Sequence, residues 1–287
     1  MTTIDPDLRI RSVRLAVSNL PRSAAFYEQV LGLPLIASTA DGAQLGPDGE
    51  HPALLLAGIE RPEPQSPGST GLFHVAWLHP SRSALAATVQ RIVRAGWRID
   101  GASDHGVSEA LYLSDPDGLG IEIYADRPRE RWQRPADGHG VVMVTLPLDI
   151  EDLLAQAPDE PAARIAPQTV VGHVHLKVAD VPRAARFYAG TLGFEEQARL
   201  PSAAFLSAGG YHHHLGMNSW QSAGGAAPPA NVPGLRLIEF ELADRAGLQE
   251  LERTVAADPS TGAPEDGHDG SLRVRDPDGH QLAFAGR

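Results

Sequence analysis

The sequence predicts an α+β protein built from four copies of one strand–helix–three-strand (βαβββ) module, and two observations carry that expectation. The stretch VRLAVSNLPRSAAFYEQVLGL (13–33) returns in kind as VHLKVADVPRAARFYAGTLGF (174–194), with Phe26-Tyr27 on Phe187-Tyr188 and Leu31-Gly32 on Leu192-Gly193 at an offset of 161. The same offset carries Asp115-Pro116-Asp117-Gly118 onto Asp276-Pro277-Asp278-Gly279. Two separate motifs sharing one offset mark a tandem duplication.

Each half divides again. In the first module an alternating apolar strand leads into Asn19-Leu20-Pro21, a helix start, and the helix stops at Gly32 before a meander. The second repeats that order. His74-Val75-Ala76-Trp77 opens a strand after Gly71, Ser83 to Ala95 has helical spacing and ends at Gly96, and a DPDG turn joins two further strands. The modules fall at about 9–58, 71–125, 169–218 and 234–285. Residues 126–168 are Pro-rich with a short helix at Ile150 to Ala157, and read as a linker between a domain at 1–125 (modules one and two) and a domain at 169–287 (modules three and four). Ser222 to Pro233 is a Gly/Ala/Pro-rich loop.

Composition sets outer limits. With 42% hydrophobic and 21% charged residues, the 287-residue chain is ordinary for a globular protein. A net charge of −12 with no basic cluster argues against nucleic acid and anionic membranes as partners. The start MTTIDPDLRI has no charged region followed by an apolar core, so no secretory signal is expected. Apolar runs fall short of the roughly 18 residues a membrane span needs, and the expected location is cytoplasmic. Having no cysteine excludes disulfides, thiolate catalysis and zinc–thiolate sites, leaving histidines and carboxylates as metal ligands.

Paired βαβββ units at this spacing resemble the vicinal oxygen chelate superfamily, which includes glyoxalase I, extradiol dioxygenases, fosfomycin-resistance enzymes and bleomycin-binding proteins. The resemblance covers nearly the whole chain outside the linker. It implies that the modules close in pairs into two half-open eight-stranded barrels, with any metal in a hollow. Fold alone does not choose among those functions.

The repeat alignment narrows the choice. At the first-strand position of His74, module three has His173 and module one has Ser12, while module four has no histidine between Val232 and Ala243. At the last-strand position of Glu122, module four has Ala283. Two imidazoles and one carboxylate therefore occur as a set once: His74, Glu122 and His173. That set fits the facial triad of non-haem iron(II), which leaves positions open for substrate and dioxygen. Taken singly, a strand glutamate reads as an outward residue and a lone histidine as a satisfied core group. At matched repeat positions, the metal reading is the stronger. His175 lies two residues on along the same strand face and reads as a packing or supporting residue.

GLFHVAW, GASDHGVSEALYLSDPDG and GGYHHHLG look like the four-module catechol 2,3-dioxygenase-like ring-cleaving enzymes. In extradiol dioxygenases the module supplying the second His and the Glu also supplies a His and a Tyr between them, and the preceding module ends with a His that serves as acid–base catalyst. By that resemblance His105 and Tyr112 are substrate-hydroxyl partners and His213 is the acid–base catalyst. His212 and His214 share the other face of what reads as a strand and stand as alternates. His51, His79, His139, His268 and His280 sit in loop-like or unmatched contexts and are assigned no role. One departure matters: common two-domain extradiol enzymes keep the whole site in the C-terminal half, whereas here it must straddle the halves.

The resemblance implies Fe(2+) as cofactor, with Mn(2+) accepting the same ligands, and a small aromatic diol and O2 as substrates, cleaved to a hydroxymuconic semialdehyde. A homo-oligomer is compatible with the sequence. Hydroquinone cleavage, a glyoxalase-type isomerase or lyase, and a non-catalytic binding protein remain open alternatives. Sequential pairing of modules would split the proposed ligands between two barrels. Pairing modules two and three reunites them and leaves one and four to form a second, metal-free barrel.

Overall fold

Each module helix starts the same way. Asn19, Ser81, Asp180 and Asp244 occupy the cap positions, and each side chain accepts a hydrogen bond from the backbone N–H three residues on. In the computed structural model, residues 3–160, 162–258, 265–266 and 270–287 are described. His268 lies outside them. Module one contains β1 (Arg9–Val17), α1 (Leu20–Gln29), β2 (Leu35–Ser38), β3 (Gly42–Leu45) and β4 (Leu54–Gly58). Module two contains β5 (Gly71–His79), α2 (Arg82–Arg94), β6 (Gly101–Asp104), β7 (Ser108–Ser114) and β8 (Gly120–Asp126). The intervening helix α3 (Ile150–Leu154) is shorter than the sequence suggests, because Gln156 and Ala157 bond to carbonyls three residues back and tighten the last turn. Module three contains β9 (Val170–Lys177), α4 (Val181–Arg186), β10 (Glu195–Leu200), β11 (Ala203–Ser207) and β12 (Leu215–Asn218). Module four contains β13 (Gly234–Leu242), α5 (Arg245–Ala257), β14 (Glu265–Asp266), β15 (Leu272–Arg275) and β16 (Gln281–Gly286).

Among the described residues sixteen strands form two eight-stranded sheets, and neither sheet keeps to one half of the chain. One runs β14-β15-β16-β13-β1-β4-β3-β2, joining modules four and one; the other runs β10-β11-β12-β9-β5-β8-β7-β6, joining modules three and two. The seams are the antiparallel pairs β1 with β13 and β5 with β9. Modules two and three thus share one half-barrel, as the ligand set demanded.

The two motifs repeated in the sequence meet in space. Tyr27 on α1 donates to Asp115 (3.2 Å), and Tyr188, its counterpart, donates to Asp276 (3.0 Å). Asp115 and Asp276 also cap their own turns, accepting from the N–H groups of Asp117 and Leu119 and of Asp278 and His280 respectively. Arg22 pairs with Asp117 as Arg183 pairs with Asp278. The Phe-Tyr and DPDG motifs therefore repeat together because each holds module one to two, or three to four, while the sheets join two to three and one to four. One large apolar core runs beneath all of this, with Tyr27, Trp77, Tyr188, Phe240 and Phe284 almost fully buried. Among the described residues no helix is long and apolar enough to cross a membrane.

The two sheets differ at their seams. In the sheet of modules one and four, the positions matching His173 and Glu122 are held by Ser12 and Ala283, and Ser12 hydrogen-bonds Glu239 across the strand pair.

Candidate metal centre and substrate pocket

Four neighbouring strands present one line of residues across the second sheet. Tyr112 on β7 faces Glu122 on β8, Glu122 faces Ala76 on β5, and Ala76 faces His173 on β9. In the next line Gly120, His74 and His175 stand side by side. Small residues make room for large ones. A Cβ at Gly120 would lie 2.0 Å from the Phe73 carbonyl oxygen and 3.1 Å from the His74 Cβ, so glycine alone admits this approach.

Three atoms converge where these lines meet. His74 Nε2 lies 3.0 Å from Glu122 Oε2, His173 Nε2 lies 3.3 Å from the same oxygen, and the two Nε2 atoms are 3.3 Å apart. All three residues are buried, and they form the one such group of potential metal-ligating side chains among the described residues. Burial alone would raise the Glu122 pKa, but the imidazoles, His173 ahead of His74, hold it well below the usual carboxylate range. Burial lowers His173 to about 4 despite the opposing pull of Glu122. A buried carboxylate and two inward-facing imidazole nitrogens call for a cation.

The spacing is within a few tenths of an ångström of what one requires. Bonds of about 2.0–2.2 Å at right angles put adjacent ligand atoms about 2.8–3.1 Å apart. A set of two nitrogens and one oxygen, without sulfur, suits iron(II) or manganese(II). His173 Nδ1 is buried without a hydrogen-bond partner, so packing against His213 (ring centroids 4.1 Å apart) and Tyr124 (4.9 Å) orients this ring.

A hollow of about 570 Å³ opens beside the cluster, walled by Phe73, Phe205, Leu200 and Trp220. His105 and Tyr112 line it together. His105 Nδ1 donates to the Val144 carbonyl (2.7 Å), which leaves Nε2 to accept from the Tyr112 hydroxyl (2.6 Å). Burial, and then the Glu122 carboxylate, raise the Tyr112 pKa, so its hydroxyl keeps its proton.

The histidine run departs from the sequence expectation. Residues 211–214 form no strand; Gly209 and Gly210, at φ of 59° and 64°, turn the chain so that β12 begins only at Leu215. His213 still reaches the hollow. His212 points away, donating from Nε2 to Asp126 (2.9 Å) and placing Nδ1 2.8 Å from His213 Nδ1. His214 Nδ1 accepts from the Ala208 N–H (3.1 Å). His175 Nε2 bonds the Asn218 amide (3.0 Å) while its ring lines the hollow. His79 ends β5 rather than lying in a loop, buried between the Trp77 carbonyl and Thr88, and His280 pairs with Asp276.

Sequence reasoning missed three parts of this site. Met143, Val144 and Thr145, from the stretch taken for a plain linker, line the hollow, and no periodicity marked them. Asp126 anchors His212 and also accepts from Tyr211 (3.2 Å), which in turn meets Tyr124 (2.8 Å). Gly216 stands at the module-three position matching Glu122, where a Cβ would come within 2.9 Å of the His175 ring. The repeat alignment contained that last signal.

Fold and site together define a member of a known class. The model of the Glyoxalase/Bleomycin resistance protein/Dioxygenase superfamily matches residues 9–123 and 170–284, and the chain belongs to that family. It is 40% identical over 283 residues to the catechol-2,3-dioxygenase of Bacillus subtilis (strain 168), with 96% of each chain covered. A shorter match, 29% identical over 127 residues, is to biphenyl-2,3-diol 1,2-dioxygenase 3 of Rhodococcus globerulus, covering 43% of this chain and 65% of that one. Glyoxalase I from Zea mays shares the fold at a TM-score of 0.57 and 17% identity, over 97% of this chain and 92% of that one.

Proposed function

We propose that this chain is an extradiol ring-cleaving dioxygenase that holds iron(II) with His74, His173 and Glu122 and inserts both atoms of O2 into a catechol-type diol, giving a hydroxymuconic semialdehyde. The observation that carries the reading is the meeting of those three side chains at the seam of modules two and three, beside a hollow of substrate size. The likeness to a catechol-2,3-dioxygenase over nearly the whole chain supports it. Iron(II) bound there supplies the redox centre at which diol and dioxygen meet.

The chain's own residues handle the protons. Asp126, an acceptor only, takes the His212 Nε2–H, so His212 Nδ1 must accept from His213 Nδ1–H. That tautomer leaves a lone pair on His213 Nε2. Burial, then the neighbouring His173 and His212, lower the His213 pKa well below its ordinary value, so the ring is neutral near pH 7 and able to accept. His213 Nε2 would take a proton from a diol hydroxyl and hold it for return to an oxygen of the product. Tyr112 donates to His105 before the diol binds, and turning that one O–H from His105 Nε2 to a diol oxygen lets it steady negative charge there. The aromatic wall keeps water from competing.

A glyoxalase-type reading would want a carboxylate from each paired module. Gly216 occupies the second position and leaves no room for one. The test is anaerobic reconstitution of metal-free protein with iron(II), followed by catechol and then air. Oxygen uptake with a yellow ring-fission product is expected. No uptake across a panel of catechols overturns the proposal.

A further inference from the structure

Strand β9 sends three residues into the same hollow: His173, His175 and Lys177. Lys177 is the one lysine or arginine lining the hollow among the described residues. Half-buried, it forms no ion pair among them, and burial is the single cause of its lowered pKa, with no carboxylate opposing. Both acids on the wall are committed elsewhere. Glu122 faces the two imidazoles, and Asp100 pairs with Arg98 (2.9 Å) and accepts from Ser114 (3.0 Å).

Lys177 also lines a second cavity of about 340 Å³ that shares Gln65 and Leu72 with the hollow. Arg236 and Arg275 line that cavity too, and its carboxylate, Asp278, is held by Arg183 (2.5 Å). The end of the hollow at Lys177 is thus cationic, and between it and the His–Glu cluster stands the His175 ring, edged by Phe73, Phe205 and Trp220. Lys177 lies four positions along β9 from His173, roughly 13 Å between Cα atoms. That exceeds the span of a bare catechol ring and suits a ring bearing a short side chain, met by the long lysine stem.

We infer that Lys177 selects catechols whose ring carries an anionic substituent on a short apolar stem, the diol lying at the His–Glu cluster and the anion at the junction of the two cavities. The inference rests on the dioxygenase reading and deepens it by naming the substrate class. A desolvated cation without a counter-ion gains most from a charge-assisted hydrogen bond to such a group.

The test compares a matched pair, 3,4-dihydroxyphenylacetate and 4-ethylcatechol, on the iron-loaded wild type, Lys177→Met and Lys177→Arg. The wild type should favour the carboxylate in kcat/KM. The ratio of the two kcat/KM values should fall about tenfold or more in Lys177→Met, as loss of a charge-assisted bond requires, and be largely kept in Lys177→Arg. A ratio measured within one protein is insensitive to partial unfolding. An unchanged ratio in Lys177→Met, or a wild type that favours the neutral diol, overturns the inference. Anaerobic titration of both diols by calorimetry separates the two claims. A Lys177-dependent binding preference without cleavage of either diol would sustain the inference and overturn the dioxygenase reading.

Discussion

Replacing His213 by asparagine isolates proton transfer from everything else the residue does. The asparagine amide can stand where Nδ1 stands and keep the hydrogen bond to His212, now 2.8 Å, while Nε2 is lost. What disappears is the nitrogen proposed to exchange protons with the diol. General acid–base help is usually worth about 10²–10⁴-fold, or roughly 3–5 kcal/mol of barrier. The missing ring atoms lie between His173 (centroids 4.1 Å apart) and Phe205 (5.0 Å), so a small gap opens. Its cost should be about 1–2 kcal/mol of stability, leaving the fold intact. The assay is kcat from an oxygen electrode together with iron content by mass spectrometry on the same sample. Retained iron with kcat down by about two to four orders of magnitude is expected. Loss of iron would make His213 a ligand, and unchanged kcat would remove it from catalysis.

Three further perturbations probe the surroundings. Glu122→Ala should sharply lower iron occupancy while circular dichroism stays native, since Ala283 already fills the matching position in module four; full iron retention would contradict the ligand assignment. Asp126→Ala removes the acceptor that fixes the His212 tautomer and should lower kcat about 10–100-fold with iron retained. Paired with His212→Ala the losses should not add, because both act through His213; additive losses would break the chain of hydrogen bonds proposed here. Metal-free protein should lose stability as pH falls from about 6.5 toward 4. Burial depresses His79 to about 4, so the unfolded chain binds more protons across that window, and the stabilisation present above it is lost on acidification. His79 alone corresponds to about 3 kcal/mol, His173 shifts the same way, and a melting temperature flat between pH 7 and 4 would refute the reasoning.

The module pattern was legible because its physics is local. Caps, glycine stops and DPDG turns act within a few residues, and the Phe-Tyr and DPDG motifs recur together because Tyr27 and Tyr188 bond their aspartates in the same way. The pairing of modules two and three was legible because His74 and Glu122 sit in one module and His173 in another, and only that pairing brings them together as one potential ligand set. The rest depended on tertiary geometry. Met143, Val144 and Thr145 have no periodicity to announce a wall. Leu215 and Met217 alternate like the end of a strand, which hid the turn that Gly209 and Gly210 impose ahead of them. Asp126 and Lys177 close their strands as charged residues ordinarily do at solvent, and only the neighbouring strands reveal what each one faces.

The central claim is that both atoms of one dioxygen molecule enter the ring of a diol held at His74, His173 and Glu122. Its most direct measurement is turnover of a catechol by iron-loaded protein under isotopically labelled dioxygen, with mass spectrometry of the rapidly quenched, chemically trapped product. Label at two oxygen positions of the ring-opened product, lost with the iron in Glu122→Ala, is the predicted result. Label at one position or none, or undiminished labelling in Glu122→Ala, would contradict it.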